Sequence, residues 1–381
     1  MSKSQKPDDQ RCVQNITAAL AVVPKRRVVS GFDAFVDETF RIVGQRTGPQ
    51  QATWMPTISD FGDWSLSMAG LSGLREIVPQ ETSFGGCAIN LGDGLASMDF
   101  ELDLFANVGR PAHPAFSSML FRCHTVEPLA MDFGRTCVFE FNDGKLMFSV
   151  TRPFAQFTLE YFNDMLAQGV FPRACQKADG IALTSWAFYP FMTDCWQRLC
   201  KEVLSGLSHR PHLFFDLADP VSRTQEDMLS MLDVLTEFEK FGRVTLSLNG
   251  SEANQIAGVL DLAPADDSSS SLQTLAQAIR QQTHISEVGI HLVKSATGVC
   301  ADQAITVDGP YCSTPKKSVG AGDRFNAGYL AGLLLDLSMR ERLMLGCASS
   351  GHYVRHAVSA DRQQLVQFLK NWTEESFTCL E

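Results

Sequence analysis

The stretch KKSVGAGDRFNAGYLAGLLL, residues 316–335, decides how the rest of the chain is read. A turn of small residues, Gly320, Ala321 and Gly322, runs straight into an apolar helix, with one carboxylate, Asp323, at the junction. Small residues let an anion reach the backbone, and the free amides and positive dipole end of a helix start attract one. A carboxylate there needs a separate reason. Either the turn is merely tight and Asp323 is the helix N-cap, or the amides hold a phosphoryl group while Asp323 accepts the proton of an attacking hydroxyl.

The flanking sequence supplies a frame. Buried-strand patterns (ADGIALTSW, HLFFDLAD, RVTLSLNG, EVGIHLVKS) alternate with helical ones, which predicts an α/β fold with a mostly parallel sheet. A first strand, RRVVSGF, breaks at Gly31, and Asp33 and Asp37 follow at its carboxyl end, where such sheets bind ligands. The alternative is two solvated loop aspartates. Gly85-Gly86 opens a helix of small residues (Ala88, Gly92, Gly94, Ala96) suited to close packing against a neighbour or a ligand. In VTLSLNGSEANQI a strand ends at Asn249, with Glu252 three residues on. That pair either organises a hydrated Mg²⁺ through its waters or caps a helix. CVFEF and KLMFSV flank Asn142-Asp143-Gly144 and predict a hairpin that belongs to a small β lid. Residues 40–80 are expected to be irregular with a helix near 60–72, and ADDSSSSLQ, 265–273, to be a flexible surface loop.

Composition bounds the function. The 381 residues are 45% hydrophobic and 20% charged, enough for one large core with an appended piece. A net charge of −11 with no basic run makes nucleic acid and anionic membranes poor partners. Eleven cysteines form no CxxC pair, and neither an apolar signal region nor a long apolar run is present, so the expectation is a reduced, cytoplasmic protein. The sequence holds no GxxxxGK[ST], HExxH or GxSxG, and no GxGxxG after the first strand. His352 and His356 share a helix at a spacing of four and read as packing residues rather than metal ligands.

GGCAIN, NGSE and GAGD, in this order, resemble the ribokinase-like (PfkB-type) carbohydrate kinases over about residues 28–370. The resemblance implies a three-layer α/β sandwich with a central, mostly parallel sheet and a small β lid. It divides the chain into an N-terminal lead, 1–24, and one kinase domain, 25–381, with lid segments near 37–60 and 134–153. It further implies ATP-dependent transfer of the γ-phosphoryl group to a hydroxyl of a sugar or sugar-like small molecule, with Mg²⁺. A monovalent cation near the anion hole and a homodimer formed through the lid are family features that it carries along. By resemblance Asp323 is the base, and the amides of Gly320, Ala321 and Gly322 form the anion hole. Asn249 and Glu252 govern Mg²⁺, through water, and the nucleotide phosphates. Gly85, Gly86, Asn90 and an aspartate after the first strand, Asp37 in preference to Asp33, hold sugar hydroxyls, with Arg152 as a further acceptor-site residue. Lys294 and Gly298 fall at the nucleotide. Arg324 departs from the small or hydroxylated residues common after the catalytic aspartate; such a cation contacts phosphate or points away. The rival readings are a nucleoside kinase of the same family and a non-catalytic sugar or nucleotide sensor.

Overall fold

The computed structural model describes residues 6–129 and 132–374. Its strands are β1 (Arg27–Phe32), β2 (Phe35–Gly48), β3 (Gln51–Trp54), β4 (Ile77–Gly85), β5 (Glu101–Ala106), β6 (Thr125–Pro128) and β7 (Gly134–Glu140). There follow β8 (Lys145–Val150), β9 (Gly180–Thr184), β10 (His212–Asp216), β11 (Arg243–Asn249), β12 (Glu287–His291), β13 (Ser295–Val299) and β14 (Ala304–Asp308). Nine of them form one sheet in the order β14-β13-β12-β11-β10-β9-β1-β5-β6, parallel from β6 to β12 and closed by the antiparallel pair β13 and β14.

Side-chain alternation along these strands feeds two cores. Val29, Ile181 and Leu213 point into one, and Val28, Ala182 and Phe214 into the other. Helices cover both faces, which makes the three layers of an α/β sandwich.

A second sheet folds over the carboxyl edge of the first, in the order β3-β2-β7-β8 with β4 on the other side of β2. The hairpin expected around Asn142-Asp143-Gly144 is β7–β8, and it lies in this lid sheet. The expectation of irregular structure over 40–80 is corrected: β2 continues to Gly48, β3 and β4 follow, and the helix is Ile58–Ser67. The serine run also departs from its reading as a loop. Ser268 accepts from the Ser271 amide and starts the helix Ser269–Thr283, so the serines are a helix N-terminus.

Glycines set the approach of three helices on one face. A Cβ at Gly94 would lie 2.5 Å from the Ala327 Cβ, and one at Gly328 would lie 2.6 Å from the Leu345 carbonyl. The helices Cys87–Ser97, Ala321–Leu334 and Met339–His356 therefore pack almost backbone to backbone. Asn90 can reach Asp323 because of this. No helix among the described residues is long and apolar enough to cross a membrane.

Candidate active site

The helix that follows the glycine turn is Ala321–Leu334, and its N-cap is Gly320, at φ +84° with no side-chain cap. Only glycine takes that left-handed conformation without strain. Asp323 sits in the first turn but does not cap it, which removes the N-cap reading. Its Oδ2 instead accepts from Asn90 Nδ2 at 2.8 Å. The Ala321 amide turns back to the Ser318 carbonyl at 3.1 Å, and the first helical bond runs from the Arg324 amide to the Gly320 carbonyl. Helix geometry therefore leaves the Gly322 and Asp323 amides without intrahelical acceptors. Burial pushes the Asp323 carboxyl above its ordinary value, opposed by the Asn90 bond and the Arg324 charge.

A second carboxylate, Asp216 at the end of β10, faces it. Ligand atoms of Cys87, Asp216 and Asp323 all lie within 4.8 Å of one another. Asp216 is held from below: Asn326 donates to it at 2.5 Å and receives a bond from Ser247 at 2.6 Å. Burial raises its pKa well above the carboxylate range, and the charges of Glu252 and Asp323 raise it further. The sequence reading missed Asp216, although an acid closing a parallel strand was the signal already used at Asp33.

Asn249 and Glu252 form a capping box at the start of the helix Gly250–Val259: the Asn249 amide bonds Glu252 Oε2 at 2.8 Å, and the Glu252 amide bonds Asn249 Oδ1 at 2.9 Å. The capping role is thus present, and it fixes the Glu252 carboxylate toward Asp216. Burial raises the Glu252 pKa, with Asp219 and Asp323 adding to the shift. Three buried acids, with the Asp323 charge raising the pKa of the other two and that of Glu252 raising Asp216, form a donor set suited to a divalent cation bound partly through water.

Asp33 and Asp37 divide their work. Asp33 is fully buried; it accepts from the Cys87 and Ala88 amides at 2.7 and 2.9 Å and from Thr184 Oγ1 at 2.9 Å. It anchors the start of the helix Cys87–Ser97 through both oxygens, a structural duty the sequence reading did not give it. A Cβ at Gly86 would lie 2.8 Å from Asp33, and one at Gly85 would run into the Asp37 carboxylate. The two glycines leave room for these carboxylates.

Asp37 lies on β2, and strand register places Ser83, Asp37, Thr136 and Ser149 in one row on one face of the lid sheet. Thr136 and Ser149 are 3.2 Å apart, and Lys317 Nζ donates to Ser83 at 2.9 Å. Burial lifts Asp37 to a pKa of about 6, offset by the Thr136 bond and the Lys317 charge.

Three further expected residues have these surroundings. Arg152 is exposed at the start of a 3₁₀ turn, and Lys294 is exposed with its ammonium 4.9 Å from the Tyr311 ring centroid. Gly298 is mid-strand, where a Cβ would strike Met339 Sδ. It serves the close packing of β13 on the helix Met339–His356.

Comparison with solved structures defines the class. Arabidopsis thaliana ribokinase, solved with ribose and ATP, superposes with a TM-score of 0.62 at 15% identity, covering 92% of this chain and 99% of that one. Thermotoga maritima ribokinase gives 0.59 at 13% identity over 91% and 99%. The fold is that of the ribokinase-like carbohydrate kinases. A curated ketohexokinase of Haloferax volcanii is 26% identical over 376 residues, 96% of this chain and 98% of that protein. The family model for prokaryotic ketohexokinase matches residues 5–372, and the chain belongs to that family. It is an ATP-dependent carbohydrate kinase, which moves the γ-phosphoryl group to a hydroxyl of a sugar or sugar-like molecule.

Proposed function

We propose that the acceptor is a ketohexose and that Asp323 removes the proton from its attacking hydroxyl. The observation that carries this reading is Asp323 itself: free of capping duty, oriented by Asn90 and set beside amides open to an anion. As the hydroxyl oxygen bonds to the γ-phosphorus and the bond from that phosphorus to the β–γ bridging oxygen breaks to release ADP, the hydroxyl proton passes to the Asp323 carboxylate, while the Gly322 and Asp323 amides receive the oxygens of the transferring phosphoryl group. The elevated pKa of Asp323 suits a group that must hold that proton through the step.

Asp216 and Glu252 would hold Mg²⁺ through its waters, with Asn249 keeping Glu252 in place. When bound, that ion neutralises charge on the phosphate oxygens. The sugar's remaining hydroxyls meet Asp37, Ser83, Thr136 and Ser149, a row rich in hydroxyl and carboxylate partners for a polyol. No aromatic side chain stands in that row to stack a nucleobase, which favours a sugar over a nucleoside. The test is ADP release with Mg·ATP across ketohexoses, aldohexoses and nucleosides. Ketohexose-dependent release is expected, and a preference for nucleosides would overturn the reading.

Asp37→Asn raises the acceptor KM about tenfold with a smaller change in kcat, as measured in the same assay. The pH dependence of stability has a definite sign. Asp37 titrates near 6 in the fold against an ordinary 3.8, so its favourable share is complete below about 3.8 and is lost as pH rises through about 6. Thermal unfolding of the ligand-free variant at pH 5 and 7.5 should show a gain over wild type at both, larger at the higher pH and of order 1–3 kcal/mol.

The other face of the lid sheet carries Phe139 in contact with Phe40 on one side and Phe148 on the other, and Phe148 and Val150 are 54% and 53% exposed. A homodimer paired through this face would cover them. Phe148→Asp should convert a dimer to a monomer in light scattering; an unchanged mass would end that reading. The ten described cysteines are unpaired, in keeping with a reducing cytoplasm.

A further inference from the structure

We propose that Arg324 is a positioning residue: paired with Asp93 inside the protein, it braces the Gly320–Ala321 peptide from behind and so fixes the amides that receive the transferring phosphoryl group. This rests on the kinase reading above. Arg324 directly follows Asp323 yet turns the other way, with a side chain only 2% exposed. Its Nη2 donates to Asp93 Oδ2 at 2.9 Å, its Nε donates to Ser359 Oγ at 3.1 Å, and its Nη1 points to the Gly320 carbonyl at 3.5 Å. The ring centroids of Tyr353 and of Phe84 on β4 lie 4.3 and 5.9 Å from the guanidinium carbon. All three nitrogens are engaged internally, so the side chain neither contacts phosphate nor faces solvent.

The bracing is two-handed. Tyr353 donates to the Val319 carbonyl at 2.9 Å while Arg324 faces the next carbonyl, that of Gly320. A Cβ at Gly320 would lie 2.8 Å from Arg324 Nη1 and 2.9 Å from Asn90 Nδ2, so the turn rests directly on both groups. Asp93 stands one helical turn beyond Asn90 on the helix Cys87–Ser97, and the ion pair runs beside the Asn90–Asp323 bond. Asp93 also pairs with Arg122, so two guanidinium groups share one carboxylate and a positive charge remains behind the turn. A lysine could not reproduce this, because a point charge lacks the planar fork that serves three directions at once.

The test compares Arg324→Met and Arg324→Lys with Arg27→Met, which breaks the ion pair to Asp103 at the amino ends of β1 and β5. Binding of ADP and of a non-hydrolysable ATP analogue is measured by calorimetry, amide exchange over residues 316–325 by mass spectrometry, and kcat and KM with a ketohexose. Arg324→Met should bind the analogue about tenfold more weakly relative to ADP and exchange faster over 316–325. Its kcat should fall about 100-fold with the acceptor KM little changed. The lysine variant should recover only a small part. Arg27→Met should lose thermal stability without any of these effects. Should Arg324→Met fail to fold, Asp93→Asn keeps the arginine and should show the same pattern in weaker form. Wild-type kcat and an unchanged analogue-to-ADP ratio in a folded variant would overturn the proposal. The binding and exchange measurements need no turnover, so a wild type silent with ketohexoses would count against the acceptor and leave Arg324 to be decided by those two readouts.

Discussion

Asp323→Asn enzyme is expected to turn over about 1,000-fold more slowly than wild type while still binding Mg·ATP and the ketohexose. Asparagine keeps the size of the side chain and an oxygen to accept from Asn90 at the 2.8 Å position, so the helix start should survive the change. What it lacks is a site for the hydroxyl proton. ADP release under saturating substrates gives the rate, and calorimetry gives the binding. A variant within tenfold of wild-type kcat would mean that another group takes the proton, with Asp216, within 4.8 Å, the first to examine. The wild-type pH profile offers a second check. Because burial raises the Asp323 pKa, its acid limb should lie above the ordinary carboxylate range, and the residual rate of the variant should lack that limb.

Glu252→Gln separates the two duties of the NGSE segment. Glutamine can still accept from the Asn249 amide, so the capping box holds and thermal stability should change little. Loss of the charge should raise the Mg²⁺ concentration for half-maximal rate about tenfold and lower kcat about 100-fold. Chelation of Mg²⁺ should stop the wild type altogether. A variant with normal Mg²⁺ dependence but a lower melting temperature would reduce Glu252 to its cap.

The sequence displayed the parts of this molecule that depend on neighbours in the chain. GAGD announced a helix start with free amides, Asn142-Asp143-Gly144 announced a hairpin, and the strand–helix alternation announced the parallel sheet. β2 was hidden because its burial shifts along its length, from fully buried at Phe35 to exposed near Arg46, so no single period marks it. A related ambiguity attaches to Gly298: a glycine that packs in a buried strand and one at a ligand loop look alike in sequence, and Met339 against it is visible only in the fold. The supports of the site were hidden by distance along the chain. Asp93 meets Arg324 across 231 positions, and Asn326 meets Asp216 across 110. Arg324 was noticed as a residue out of pattern, but the carboxylate that explains it lay in a segment read only for its small residues.

Only Asp33 and Ala34 separate β1 from β2, so the two sheets share a joint two residues long, and one of those residues is pinned by three hydrogen bonds. At the far end of the same strand, β3 and the helix Ile58–Ser67 pack on little more than Ile42, Met55 and Phe141. Lengthening the chain is therefore tolerable at one end of β2 and ruinous at the other. A library of loop insertions should be accepted at Pro49–Gln51 with activity intact and rejected after Ala34, which makes the outer rim of the lid the place to graft new sequence onto this enzyme.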